Sequence, residues 1–240
     1  MTDTYSYLGE ELTLFAGARN WKSYIKEMLA PYISGDVLEV GAGIGATTSV
    51  LLGLHHKSWT CLEPDKKLAQ QIEIALRNME AAHKVDTLVG TTLDLPEKNS
   101  YDSILYVDVL EHISDDKEEL HRISPYLRDS GKLVILAPAY DWLYSSFDDE
   151  IGHYRRYNRS KMNEITPDNM VLEKVFFLDS AGLFLSLANR LLLKQRNPTQ
   201  KQIDFWDRVV IPVSRVIDLL INYRAGKTIV GIWGKNSLDI

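Results

Sequence analysis

Seven short apolar runs punctuate the chain, at residues 36–40, 58–62, 85–89, 101–107, 132–136, 172–178 and 228–233. Each has the length of a strand and is too short for a helix. Segments with a different period lie between them. Residues 20–31 place Trp21, Tyr24, Ile25, Met28 and Leu29 on one helical face and stop at Pro31. Residues 66–79 do the same with Leu68, Ile72, Ala75, Leu76 and Met79. Helical patterns also cover 47–54 and 117–127, and Ser130-Gly131 leads into the fifth run. Strands alternating with helices predict an α/β, doubly wound, mostly parallel sheet covered on both faces.

The stretch between the last two strands is far longer than an ordinary connection. It is read as a helical insertion over 179–227. Residues 181–194 are apolar but interrupted by Asn189 and Arg190. Residues 203–221 are amphipathic, through Phe205, Trp206, Val209, Val210, Val213, Val216, Ile217 and Leu220, and Pro212 predicts a kink or break.

Charge separates along the chain. Residues 181–240 hold nine Lys/Arg and four Asp/Glu, a balance of +5, whereas the remainder stands at −11. Two readings of the insertion stay open: a helix pair lying on a membrane surface, or a core or homodimer face. Nothing has the density of a nucleic-acid-binding stripe, so no nucleic-acid partner is expected. The one cysteine, Cys61, cannot form an internal disulfide, which suits a reducing compartment and excludes a cysteine-built zinc cluster. The start of the chain has no basic-then-apolar pattern and no apolar run reaches about 18 residues. The expectation is a cytoplasmic protein.

The sharpest chemistry lies after the first strand, in Glu39-Val40-Gly41-Ala42-Gly43-Ile44-Gly45-Ala46-Thr47. Glycines supply the angles of a tight turn and let the main chain approach a ligand. Gly41, Gly43 and Ala46 also satisfy the dinucleotide fingerprint, so a nicotinamide-dependent oxidoreductase stays an alternative. Glu39 suits the ammonium of an amino-acid ligand and sits badly beside a pyrophosphate. Glu63 closes the second strand at a spacing that suits a ribose diol.

These motifs resemble the Rossmann-like family of S-adenosylmethionine (SAM)-dependent methyltransferases over about residues 20–160. The resemblance covers Glu39 to Gly45, Glu63, the 90–96 segment, Tyr101-Asp102-Ser103-Ile104, the 107–112 segment and the 127–133 approach to the fifth strand. It implies one methyltransferase domain: N-terminal lid and helices over 1–35, core over 36–178, insertion over 179–227, last strand and tail over 228–240. It further implies a seven-stranded sheet with an antiparallel last strand. SAM is the implied cofactor, held by Glu39, Gly41, Ala42, Gly43, Gly45 and Thr47, by Glu63 and Pro64, by Thr91, Thr92 and Leu93, and by Asp108 and Val109. The family often has an acid where this chain has Thr91; either its hydroxyl substitutes or Asp94 reaches in. A SAM-binding regulator without chemistry is a further alternative.

Two segments belong to the acceptor. His112, with Glu111, is either a general base or part of the shell that orders the loop. Phe147-Asp148-Asp149-Glu150-Ile151-Gly152-His153-Tyr154-Arg155-Arg156-Tyr157 offers His153 as the other base. Arg155 and Arg156, flanked by Tyr154 and Tyr157, suit a phosphate or carboxylate, unless the preceding acids pair with them. The segment resembles the His-x-Arg-Arg-Tyr stretch of a bacterial methyltransferase subgroup linked to glycan or lipid-linked sugar pathways. This implies a small-molecule or sugar- or lipid-linked acceptor, methylated on O or N. The resemblance also implies an N-terminal segment that closes over SAM: Arg19 and Trp21 are read as substrate-binding, with Arg19 able to meet the SAM carboxylate, and Tyr5 or Tyr7 as lining the entrance. No paired-histidine spacing or compact carboxylate cluster is present, so no metal is expected.

Overall fold

The computed structural model describes residues 11–77, 79, 84–97, 100–188 and 198–236. Tyr5, Tyr7 and the 189–194 part of the apolar insertion segment lie outside them. The strands are β1 (Asp36–Val40), β2 (Ser58–Glu63), β3 (Val85–Val89), β4 (Tyr101–Val107), β5 (Leu127–Pro138), β6 (Met170–Leu178) and β7 (Thr228–Lys235). They form one sheet in the order β3-β2-β1-β4-β5-β7-β6. The pairings of β1 with β2 and β4, of β2 with β3, and of β4 with β5 are parallel. Strand β7 slots between β5 and β6 and is antiparallel to both. The winding direction reverses between β1 and β4, which opens a crevice beyond their carboxyl ends.

Helices cover both faces: α1 (Glu11–Ala16), α2 (Arg19–Leu29), α3 (Thr48–Leu51), α4 (Lys66–Leu76), α5 (Asp116–Ile123), α6 (Ser146–Glu150), α7 (Arg159–Glu164), α8 (Ser180–Ala188), α9 (Gln200–Phe205) and α10 (Ile211–Leu220). The two-residue period of β1 sorts its side chains. Val37 joins Trp59, Leu105, Ile25, Leu29 and Ile72 in one core layer, whereas Leu38 and Val40 join Ile104, Tyr106, Leu120 and Ile135 in the other.

Among the boundaries that differ from the sequence expectation are those of α4, α5 and β5. Helix α4 ends at Leu76, and its buried stripe is Ala69, Ile72 and Leu76, with Ala75 exposed. The Asp65 side chain caps it by accepting from the Lys67 and Leu68 N–H groups, which sets its phase. Helix α5 stops at Ile123, ahead of Pro125, and a 3₁₀ turn over Ser124–Tyr126 follows. Strand β5 begins at Leu127 rather than Lys132, because a bulge between Tyr101 and Ser103 lets Tyr101 pair with Leu127.

The insertion is built of α8, α9 and α10. A π turn over Trp206–Val210 joins the last two, and Pro212 lies just after it, at the start of α10, where the expected interruption takes the form of this π turn rather than a break. Among the described residues no helix is long and apolar enough to cross a membrane.

Candidate active site

The chain leaves β1 through Gly41 (φ 70°), Gly43 (φ 59°) and Gly45 (φ 73°), all in the left-handed region that side chains resist. At Gly41 a Cβ would also stand 2.7 Å from Val109 Cγ2. Glu63 is buried behind the turn: its Oε2 accepts from the Gly43 N–H at 2.8 Å and its Oε1 from the Asp65 N–H at 2.9 Å. Glu39 is buried and accepts from Trp59 Nε1 at 2.8 Å. Burial pushes its carboxyl up to about 7, against the pull of the Trp59 and Thr48 hydrogen bonds.

Gly41, Ala42, Gly43 and Thr47 line a cavity with Glu39. These residues fit the amino-acid end of SAM: the bare main chain of the turn admits a close ligand, and a partly neutralised carboxylate waits for a cation. Gly45, Glu63, Pro64, Thr91, Thr92, Leu93 and Val109 do not line this cavity. Thr91 gives both its N–H and its hydroxyl to Asp94 Oδ2, at 2.8 and 3.0 Å. Asp94 is thus turned onto Thr91 itself. Thr92 is buried, with its hydroxyl on Glu119, and Leu93 is exposed.

The opposite wall begins at the end of β4. Asp108 has φ 55° and lines the cavity. Burial raises its carboxyl to about 6, moderated by its neighbours His153, Lys22 and Lys227. Glu111 is fully buried, and neither carboxyl oxygen has a hydrogen-bond partner. Burial, reinforced by Asp108, raises it well above the carboxylate range, which favours its protonated form. Burial lowers His112 to about 4, with a further push from His153.

The 145–157 loop supplies the rest. It is tied down beside β5 by Tyr157 N–H to the Pro138 carbonyl and beside β4 by Tyr154 N–H to the Glu111 carbonyl. Asp148 is fully buried in a capping box with Ser145. It accepts from Arg156 Nε and Nη2 at 2.8 and 2.9 Å, and its Oδ1 lies 2.9 Å from His153 Nδ1. Burial opposes its ionisation, but the His153 and Arg156 hydrogen bonds outweigh that and hold it well below the usual range. An ionised Asp148 favours a proton on Nδ1, which leaves Nε2 as the other ring nitrogen of His153. That nitrogen lies 3.8 Å from Glu111 Oε1, and the His112 ring stands nearly perpendicular at 4.6 Å.

The candidate residues therefore divide. His112, His153, Asp108, Trp21 and Arg156 line the same cavity as the glycine turn. Arg19 is exposed and does not. Arg155 turns away to the Ile113 and Ser114 carbonyls and to Asp116, with its guanidinium over the exposed Tyr154 ring. Tyr157 is core, its hydroxyl on Asp116 and the Leu110 carbonyl. The reading in which the preceding acids pair with the arginines holds for Arg156, through Asp148; Arg155 instead pairs with Asp116, which is not one of those acids. Lys22, Asp179 and Lys227 also line the cavity and went unread in the sequence. Lys227 lies among Asp179, Arg156, Asp148 and Asp108, and burial lowers its pKa. Its only sequence signal was a lysine abutting the last apolar run. Expecting no metal, the linear spacing concealed that ligand atoms of Glu111, His112 and His153 lie within 4.8 Å of one another.

The family described as methyltransferase domain matches residues 38–133. A Penicillium expansum O-methyltransferase, cnsE, is 30% identical over 138 residues, covering 55% of this chain and 45% of the relative. A tRNA U34 carboxymethyltransferase from Pseudoalteromonas atlantica is 28% identical over 120 residues, covering 48% and 37%. The chain spans about half or less of the length of the curated relatives it matches. Among solved structures, a geranyl diphosphate methyltransferase in complex with SAM superposes with a TM-score of 0.65 at 14% identity, covering 95% of this chain and 91% of that one. The [4+2]-cyclase SpnF superposes at 0.62, also at 14% identity, covering 95% of each. The sheet order is that of the Rossmann-like methyltransferase fold, and the family match supports a class I methyltransferase. The cyclase shows that the fold alone does not set the chemistry.

Proposed function

We propose that this chain is a SAM-dependent methyltransferase of the cytoplasmic compartment. Its acceptor is a small or sugar- or lipid-linked molecule that presents a hydroxyl and carries a carboxylate or phosphate. One observation carries the reading: the glycine turn with Glu39 and the Asp148–His153 pair face the same cavity. A pyrophosphate would meet the Glu39 carboxylate there, which counts against a dinucleotide. The His-x-Arg-Arg-Tyr resemblance supports a sugar- or lipid-linked acceptor.

When bound, SAM supplies a methyl group on a positively charged sulfonium, open to in-line attack by oxygen. The protein's task is then alignment, exclusion of water and removal of one proton. His153 Nε2 takes the acceptor hydroxyl proton, and the buried Asp148 carboxylate stabilises the imidazolium that forms. His112 stays neutral beside it and sets no charge against that imidazolium. Glu111, in the protonated form that burial favours, donates a hydrogen bond toward the reacting oxygen. Arg156 Nη1 is buried without a partner, and Lys227 lines the same wall. Together they hold the anionic group. The acceptor atom is read as oxygen because a positioned base is needed for a hydroxyl and not for a neutral amine.

Two measurements test this. Calorimetry with SAM and with NAD separates the cofactors. Turnover of SAM against hydroxylated acceptors, each offered with and without a carboxylate or phosphate, tests the acceptor class. Absence of SAM binding, or equal rates with charged and uncharged acceptors, overturns the corresponding half.

A further inference from the structure

The insertion wears its apolar face outward. Phe205, Val209, Val213, Val216 and Leu220 follow one another at helical spacing along α9, the π turn and α10, and all are exposed, Val216 by 60% and Leu220 by 78%. Phe184 of α8 adds to the surface at 65% exposure. Three polar residues of the same helices, Asp207, Ser214 and Asp218, turn inward. Asp218 accepts from Tyr24 Oη and from the Asp179 and Ser180 N–H groups, Asp207 accepts from the Trp21 N–H, and Ser214 donates to Asp179 Oδ1. These bonds fix the rotation of the helices, so the apolar stripe cannot roll into the core without stranding buried carboxylates. An outward stripe of this kind marks an interaction surface.

Charge selects the occupant. In the 198–226 segment the exposed charged residues are Lys201, Arg208 and Arg224 against Asp204. A second copy docking by two-fold symmetry would set this positive surface against itself. An anionic bilayer complements it, with apolar side chains entering the interface and Lys/Arg meeting headgroups. We propose that α8–α10 dock this protein on the surface of an anionic phospholipid membrane. Docking would leave the cavity close to the interface, since Trp206, next to the outward Phe205, lines its wall. The proposal does not depend on methyl transfer.

The test is co-sedimentation of the full chain with phosphatidylcholine vesicles containing or lacking phosphatidylglycerol. The expected result is binding that rises with phosphatidylglycerol, falls with added salt, and drops at least about tenfold in a Val216→Asp/Leu220→Asp variant. Both positions are exposed, so the variant should keep the wild-type thermal transition; Val216→Leu, which keeps the surface apolar, should bind as wild type. Three results would overturn the proposal: wild-type protein left in solution with phosphatidylglycerol vesicles, equal binding by wild type and the double variant, or a dimer in sedimentation equilibrium that the double variant dissociates while neither protein binds vesicles.

Discussion

Asp148 Oδ1 stands 2.9 Å from His153 Nδ1 while the same carboxylate is clamped by two guanidinium nitrogens of Arg156. One buried charge therefore orients the proposed base and anchors the cationic wall. The two jobs separate by mutation. His153→Ala should lower kcat by about 100-fold to 10,000-fold, the usual worth of a positioned base, with SAM affinity unchanged. Asp148→Asn should show a similar loss and also unfold more easily. It strands buried Arg156, at a cost of about 3–5 kcal/mol. Steady-state kinetics and urea unfolding of both variants check this. Full turnover by His153→Ala would remove the histidine from the chemistry.

Glu39 makes stability and binding depend on pH in opposite ways. Its folded carboxyl titrates near 7, above the ordinary value of 4.5, because it is buried. The folded state therefore holds this proton more tightly than the unfolded chain. Stability should fall as pH rises from about 4.5 to 7 and stay low above that, by on the order of 3 kcal/mol. A cationic ammonium beside Glu39 favours its ionised form, so SAM binding should expel a proton below pH 7. The calorimetric enthalpy should then vary with the ionisation enthalpy of the buffer. Glu39→Gln should be more stable than wild type at pH 8, equal to it near pH 4, and should lose the buffer dependence. A buffer-dependent enthalpy that survives the substitution would place the proton elsewhere.

What could be read in the linear chain was what is encoded locally. The strand runs, the glycine turn and the insertion rest on short-range period and turn chemistry, and each lies within a few residues of its expected place. The 153–157 loop has no period, so nothing local distinguishes Arg156, which turns into the cavity, from Arg155, which turns out. Lys227 and His153 converge only because β7 threads between β5 and β6. Periodicity in the 203–221 segment showed that one face is apolar but not that it faces outward. That depends on Asp207, Ser214 and Asp218 finding partners on α2 and around Asp179.

Arg155 and Lys227 should exchange the importance that the sequence suggests. Lys227 lines the cavity wall beside the buried Arg156 Nη1, whereas Arg155 is committed to backbone carbonyls on the far side. Lys227→Met should raise KM for anionic acceptors by about 10- to 100-fold, equivalent to the roughly 1.5–3 kcal/mol of a charge-assisted hydrogen bond, and leave uncharged acceptors nearly unaffected. Arg155→Ala should change KM less than about twofold, because its guanidinium is spent on Asp116 and the Ile113 and Ser114 carbonyls and does not line the cavity. Kinetics with a matched pair of acceptors, phosphorylated and not, decides it. An equal loss on both would show that Lys227 shapes the cavity rather than binding charge.

The Glu111, His112 and His153 grouping gives the last prediction. Their donor atoms lie within 4.8 Å of one another, and imidazole nitrogens with a carboxylate suit zinc. Yet burial favours the protonated form of Glu111, and the proposed mechanism keeps His153 Nε2 as a free base. Extensive chelation should therefore leave turnover unchanged. Micromolar zinc should inhibit in competition with the acceptor, by binding His153 and drawing the proton from Glu111. His112→Ala should weaken that inhibition about tenfold or more, the usual effect of deleting a ligand or its close support. Loss of activity on chelation, restored by a divalent ion, would reverse the assignment and make the three side chains ligands of a working metal.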